Sequence, residues 1–322
     1  MASTVLVITN RDDGTADRVL HELDRRGVSV MRFDAADFPQ RLALSAECGP
    51  GIWSGTLIGD HHSARLEDVV GVYFRHPGQF ELPEGMTRPE QLWSYGEARL
   101  GFGGVLHALD CAWVNNPTRT AAAEYKPLQL STAVSAGLRI PRTFIGNTPD
   151  QALAWAKAIG VEIIYKPLAG SVHTEAGSTH ILYATPITDL TSLGDPSIRV
   201  TAHYFQEWIP KQAEVRVTVV GDDMFAVAIH TDSPEGRIDW RADYASHRYR
   251  VVAVPDEVRA GLRECLDRLG LVYCAADFAI NPRGEWFFLG DLNPNGEWGW
   301  LAHHCDLPIA AAIADVLEGA EQ

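Results

Sequence analysis

The 322 residues carry 27 Lys and Arg against 42 Asp and Glu, a formal charge of −15, with 46% hydrophobic and 21% charged residues. That length and balance suit two or three packed units with a substantial core and set disorder aside, and the acidic excess excludes nucleic acid, whose phosphates need clustered Lys and Arg, while tolerating a basic peptide. Five scattered cysteines, Cys48, Cys111, Cys265, Cys274 and Cys305, have no C-x-x-C spacing for zinc or redox work and point to a reduced, cytoplasmic protein.

The N-terminal run from Thr4 to Thr9 is too short for a signal peptide core, and no stretch reaches membrane-spanning length. Val5 to Ile8 reads as a buried strand, Thr15 to Arg26 as an amphipathic helix closed by Gly27, and Val28 to Phe33 as a second strand, a βαβ opening. Val69 to Phe74 continues the parallel sheet, and Glu90 to Leu109 makes a long helix before Ala112-Trp113-Val114-Asn115. An α/β domain therefore spans 1–116. Asn10 to Gly14 stands where a G-x-G-x-x-G turn would follow the first strand, so a dinucleotide reading loses its support. From Pro117 a helix is expected through Ala136, then a strand over Arg142 to Ile145, a helix over Asp150 to Ile159 and a strand over Glu162 to Lys166. This is a central subdomain, 117–201. The third part, 202–322, is strand-rich up to Asn293 apart from a helix over Pro255 to Leu269, and closes with a helix over Pro308 to Leu317.

Chemistry concentrates in the second and third parts. Lys166 ends an apolar strand, and Pro167 stops the ladder there, so the ammonium meets whatever occupies the strand end. The small-residue stretch from Ala169 to Thr179, with Gly170, Ser171 and Gly177, can present backbone N–H groups to phosphate oxygens, although alone it reads as a surface loop. Lys126 is a second cation in an otherwise apolar segment, by itself an ordinary helix-face lysine. Gln206-Glu207-Trp208-Ile209 ends a strand at Pro210, a hinge suited to an adenine ring, with Glu214 able to accept from ribose hydroxyls. Alternating apolar residues around Asn281-Pro282-Arg283-Gly284 read as a hairpin that puts Asp291 and Asn293 on one face of its second strand and Asp277 on the first. Two carboxylates and an amide suit Mg²⁺, a hard ion completed by phosphates and water. His230 to Tyr244 is a long polar connection whose length suggests function, and the pairs His61-His62 and His303-His304 read as structural.

The ordered set of Lys126, Lys166 with its loop, Gln206 to Ile209, Glu214-x-Arg216, Asp277 and Asp291-x-Asn293 resembles the ATP-grasp superfamily of carboxylate-activating ligases. Ala123 to Leu130, Ile238-Asp239-Trp240-Arg241, Asn293 to Leu301 and Val72 to Pro77 resemble its graspetide (microviridin-type) peptide-maturing branch, closest to actinobacterial members. The resemblance implies an α/β ATP-grasp fold with a pre-ATP-grasp domain, bound ATP and two Mg²⁺ ions. It assigns Lys126 and Lys166 to nucleotide phosphates, Gln206, Glu207, Trp208 and Ile209 to adenine, Glu214 to ribose, and Asp277, Asp291 and Asn293 to metal. Arg216 falls near the transferred phosphate, while Asp232, Asp239, Trp240, Arg241 and Arg75 are expected to hold a ribosomal precursor peptide with its leader, in a homodimer. Two departures stand out: Asp291 replaces the usual glutamate, and Ala275 stands where D-alanine-type ligases carry arginine, leaving Arg216 or Arg241 to stabilise the tetrahedral intermediate.

Such a site phosphorylates an Asp or Glu side chain, and a Ser or Thr hydroxyl or Lys amine then attacks the acyl phosphate, with Lys166, Arg216 and Arg241 carrying the catalysis. A ligase for free amino acids or peptide ends would share the nucleotide residues, and the shorter Asp291 raises a catalytically impaired nucleotide-binding subunit. Intact lysines and Asn293 argue against the latter.

Overall fold

The computed structural model of the chain describes residues 3–49, 53–169, 172–175 and 178–319. The first layer opens with β1 (Thr4–Ile8), α1 (Gly14–Arg25) and β2 (Ser29–Phe33), and adds β3 (Ala43–Cys48), β4 (Trp53–Ile58), β5 (Ser63–Arg65), β6 (Val69–Phe74), α2 (Arg88–His107) and β7 (Ala112–Val114). Strands β2-β1-β6-β7 form a parallel sheet, as the βαβ pattern requires, and Asp13 starts α1 by accepting from the backbone N–H groups of Thr15 and Ala16. The antiparallel sheet β3-β4-β5 beside it was not expected, because its residues are mostly exposed or half-exposed and lack a strong apolar alternation.

The helix expected over 117–136 is two helices, α3 (Pro117–Ala123) and α4 (Lys126–Ser135). In a continuous helix the ring of Pro127 would collide with the Ala123 carbonyl and leave it without a donor. Tyr125 instead adopts extended backbone, and the Ala123 carbonyl accepts from Gln129 Nε2 at 2.7 Å. The break places Lys126 at the first position of α4.

The central unit comprises β8 (Thr143–Gly146), α5 (Pro149–Ile159), β9 (Ile163–Lys166), a hairpin of β10 (Val172–Glu175) and β11 (Ser178–Ile181), β12 (Thr185–Pro186) and β13 (His203–Glu207). Its sheet runs β12-β9-β13-β8, all antiparallel. The hairpin lies where the small-residue composition reads as a loop. Gly170, Ser171 and Gly177 fall outside the described residues.

The last unit contains β14 (Ala213–Val220), β15 (Asp223–His230), α6 (Pro234–Ile238), β16 (Arg248–Val251), α7 (Asp256–Leu269), β17 (Tyr273–Ile280), β18 (Trp286–Asn293), α8 (Gly299–Cys305) and α9 (Ile309–Leu317). Its antiparallel sheet has the order β16-β15-β14-β17-β18. Strand periodicity splits its faces: Val215, Val217 and Val219 pack with Leu262, Leu266 and Ala133 of α7 and α4, whereas Glu214, Arg216 and Asp277 are buried on the opposite side. Each fully buried Val or Leu contributes about 1.5–3 kcal/mol, so the apolar face anchors the sheet while the polar face is left for chemistry. Helix α9 turns back onto the parallel sheet, where Ile309, Ile313 and Leu317 join Val5, Val7, Val19 and Leu23 in one core. Among the described residues no helix is long and apolar enough to cross a membrane.

Candidate active site

The site is built on β18. Between the pairs Ala276↔Leu292 and Phe278↔Phe288 the ladder with β17 slips, so residues 289–291 bulge opposite Asp277. Gly290 makes the bulge possible with φ +77°, and a Cβ there would lie 2.7 Å from the Tyr204 hydroxyl oxygen. The bulge aims the Leu289 carbonyl and the Asp291 carboxylate at Lys166. Gly290→Ala is expected to destabilise the fold by about 1–3 kcal/mol, the scale of a strained backbone residue, and to weaken nucleotide binding; unchanged melting and affinity would show that the bulge tolerates a side chain.

Both lysines meet one carboxylate. Lys126 Nζ donates to Asp291 Oδ1 and Lys166 Nζ to Asp291 Oδ2, each at 2.5 Å, and Lys166 also donates to the Leu289 carbonyl at 2.8 Å. Burial pushes the Asp291 pKa up, but Lys166, Lys126 and Arg241 outweigh it and hold the carboxyl well below the usual carboxylate range. Opposite it, Arg216 grips Asp277 with two hydrogen bonds, Nε to Oδ1 at 2.9 Å and Nη2 to Oδ2 at 2.8 Å. The Arg216 guanidinium lies 5.0 Å from the Trp240 ring centroid. Arg241 grips Asp239 in the same two-bond manner, at 2.8 Å twice, and Asp239 accepts from the Ala184 N–H at 3.1 Å. Burial opposes the charge of Arg241, yet Asp239, Asp291 and Asp277 hold its pKa above the ordinary value.

The residues expected at an adenine hinge and a ribose line the same cleft, with Lys166, Gln206, Trp208, Ile209, Glu214 and Asp291 on its walls. Gln206 Nε2 donates to the Tyr204 hydroxyl at 2.8 Å, while Gln206 Oε1 and Trp208 Nε1 are buried without a hydrogen-bond partner among the described residues. Burial raises the Glu214 pKa, opposed by Lys211, which bonds its carboxylate. The Glu207 carboxylate is taken by Arg142 at 2.9 and 3.1 Å, and the Glu207 N–H donates to the Arg142 carbonyl at 2.9 Å.

A second opening of about 720 Å³ adjoins this cleft, lined by Lys126, Arg216, Trp240, Arg241, Asn293, Glu297 and Trp300 among others. Trp240 stacks on Trp300 with centroids 5.3 Å apart. Asn293 Nδ2 donates to the Ala275 carbonyl at 3.3 Å. Ala275 itself is wholly buried, and Gly296 runs so close that an added Cβ would stand 2.5 Å from the Ala275 methyl, so an arginine at 275 has no room. Asp232 lies apart, paired with Arg248 at an exposed surface. Arg75 is 2% exposed and tied to Asp13 and Glu297.

Sequence reasoning passed over Gly290, for which a glycine inside a strand pattern was the available signal. It also passed over Asn115, which donates to the carbonyls of Tyr273 and Pro294 at 2.7 and 2.8 Å and accepts from the N–H groups of Val272 and Tyr273, both at 2.9 Å. Nothing local marks that role. Its partners lie about half the chain away, and it ties the first layer to the loop that follows Asn293.

Two antiparallel sheets facing each other across paired lysines and buried acids define an ATP-grasp ligase. Residues 4–121 match a family described as the MvdD pre-ATP grasp domain. The macrocyclase MdnB from Microcystis aeruginosa MRC is 30% identical with a TM-score of 0.79, over 98% of this chain and 99% of that one. The macrocyclase MdnC from the same organism, bound with precursor peptide MdnA, is 27% identical with a TM-score of 0.83, over 98% and 100%. A Chryseobacterium gregarium RiPP-associated ATP-grasp ligase, in complex with ADP and a leader and core peptide, is 26% identical with a TM-score of 0.89, over 99% and 98%. No match is found among curated proteins. The chain belongs to the RiPP-associated ATP-grasp ligases, the microviridin-type macrocyclase family.

Proposed function

We propose that the protein is an ATP-dependent macrocyclase of a ribosomally made precursor peptide, joining Asp or Glu side chains to Ser, Thr or Lys side chains. The observation that carries this reading is the convergence of Lys126 and Lys166 on Asp291, beside the Arg216–Asp277 pair and next to an open, aromatic-lined cleft. The residues fit Mg²⁺ and a nucleotide. Asp277, Asp291 and Asn293 offer oxygen donors of the kind that Mg²⁺ selects, and the orphaned Gln206 Oε1 offers an acceptor for an adenine amino group. Two ions held by these three residues would supply charge neutralisation on the phosphate oxygens during in-line transfer.

The chain's own groups do the rest. Lys126 and Lys166 exchange the carboxylate for phosphate oxygens, which positions the γ-phosphate toward the peptide carboxylate. Arg241, fixed by Asp239, and Arg216, fixed by Asp277 and Trp240, present cationic charge where the acyl phosphate and its tetrahedral adduct form. Trp300, half-buried and backed by the buried Trp240 ring, gives the peptide an apolar surface. Asp232 and Arg75 belong to the peptide-binding reading at its edges, the first by its exposed charge and the second through Glu297. In this reading the domains divide at 116 and 201, and the active unit is a cytoplasmic homodimer, which sedimentation equilibrium tests.

With its precursor, ATP and Mg²⁺, the protein is expected to lower the peptide mass by one water per linkage and to release ADP and phosphate. Mass spectrometry and nucleotide chromatography read both. A gain of amino-acid mass would favour the chain-extending ligase, and AMP with pyrophosphate would overturn the mechanism.

A further inference from the structure

Carboxyl activation leaves a proton to be removed: an attacking hydroxyl must lose one as its bond to the acyl carbon forms, and an ammonium must lose one before its nitrogen can attack and a second as the amide forms. The groups around the nucleotide are poorly suited to take it. Asp291 is held ionised by two lysines, Asp277 is gripped by Arg216, and Arg216 and Arg241 are cations that burial fails to neutralise.

A different cluster stands at the edge of the open cleft. Glu297, which lines it, is held at Oε1 by Arg75 Nη2 at 2.5 Å and at Oε2 by the Thr15 hydroxyl at 2.6 Å. The His76 ring Nε2 lies 3.4 Å from the same Oε1, with the imidazole side chain 43% exposed. Arg75 is fixed in turn by Asp13 Oδ2, which accepts from its Nε at 2.8 Å, so a buried charge network aims a carboxylate at a half-exposed histidine. The His76 backbone is pinned as well: its carbonyl accepts from Asn10 N at 3.1 Å and Asn10 Nδ2 at 3.0 Å, and its N–H donates to the Thr9 hydroxyl at 3.4 Å. The loop that carries Glu297 also touches the phosphate side of the site, since Arg216 Nη1 donates to the Glu297 carbonyl at 3.4 Å. A buried arginine is costly to keep for stability alone, and here it fixes a carboxylate rather than filling a core.

We propose that His76, oriented by Glu297, is the general base for the acceptor. With Nε2–H donated to Glu297, Nδ1 takes the proton from the acceptor hydroxyl or ammonium. The acceptor oxygen or nitrogen bonds to the acyl carbon, the carbon–oxygen bond to phosphate breaks, and inorganic phosphate leaves with the electron pair, taking up the second proton when the acceptor was an ammonium. Arg75, Thr15 and Asp13 are positioning residues for this pair. The inference rests on the macrocyclase reading.

Hydroxylamine separates the two ideas, because it attacks acyl phosphates as a neutral amine and needs no base. Full-length protein, precursor, ATP and Mg²⁺ are assayed with and without hydroxylamine, and crosslinked peptide and peptide hydroxamate are counted by mass. In His76→Gln the ratio of crosslink to hydroxamate is expected to fall about 10²-fold, the lower end of general-base contributions, and in Glu297→Gln by a smaller factor. Added imidazole should restore part of the ratio in His76→Ala; where that variant fails to fold, His76→Gln carries the test. An unchanged ratio in His76→Gln, whether both products persist or fall together, would overturn the assignment. If the wild-type protein gives neither product, the macrocyclase reading falls and the base assignment with it.

Discussion

Replacing Asp291 by asparagine is expected to reduce crosslink formation by about 10²–10³-fold, the scale seen when a preorganised electrostatic contact at a reacting centre is lost. The same change removes the shared counter-charge of Lys126 and Lys166, each 2.5 Å from one of its oxygens. Two ammoniums facing each other without a carboxylate are expected to lower stability by about 3–5 kcal/mol, as for other broken buried pairs. The pH dependence follows from the sign of the shift. A carboxyl held below its ordinary value contributes stability above the unfolded carboxylate range, near pH ~4, and loses it as pH falls toward the folded value. Wild-type protein should therefore lose this contribution progressively as pH falls below ~4, and Asp291→Asn should lack it throughout, giving a flatter acid limb in urea titrations. Asp291→Glu, which keeps the charge, is expected to retain turnover. Near wild-type turnover in Asp291→Asn would reject the site.

The second large effect concerns Arg216. In Arg216→Ala the buried Asp277 carboxylate loses both hydrogen bonds and Trp240 loses its cation, so stability should again drop by about 3–5 kcal/mol and crosslinking should vanish with it. Lysine is no substitute. A point charge cannot reproduce the planar fork that grips both carboxylate oxygens. The informative variant is Arg216→Met combined with Asp277→Leu, which replaces the pair by apolar groups of similar size and is expected to recover most of the stability while remaining inactive. Thermal melting and crosslinking measured together decide the matter. A stable, active double variant would mean that the pair serves packing alone, and a double variant as unstable as Arg216→Ala would mean that the loss comes from geometry rather than from an unpaired charge.

Much of the architecture could be read from periodicity. The βαβ opening, the long helix before Ala112, and the hairpin around Asn281 to Gly284 carry their pattern locally, and local patterns survive folding. The break between α3 and α4 was legible in principle from Pro127, but the alanine run just before it, Ala121 to Ala123, made continuity look natural. The sheet of β3, β4 and β5 was hidden because half-exposed strands do not need apolar alternation. At the site, residue types and order pointed to the lysines and acids, and the fold brings them to one cleft. Their pairing was out of reach. Lys126 and Asp291 are separated by 165 positions, and no pattern along the chain says that one carboxylate will hold two ammoniums. The bulge at Gly290 belongs to the same class: it shows as a glycine in a strand, while its purpose depends on Tyr204 packing against it.

Helix α9 closes the core of the parallel sheet that begins the chain, and Gly71 of β6 lies so near it that an added Cβ would stand 2.3 Å from the Leu317 carbonyl oxygen. Synthesis runs from the other end. The first strands leave the ribosome some 300 residues before the helix that covers them, so Val5, Val7, Val19 and Leu23 lack that cover until α9 has been made. The usual advantage of folding domain by domain is denied to this layer, whose core closes in a single event when β1, α1 and α9 meet. Because the loop carrying Glu297 lies just ahead of that helix, the peptide-facing cleft takes shape in the same event, and a nascent chain has no partly built site to offer its substrate.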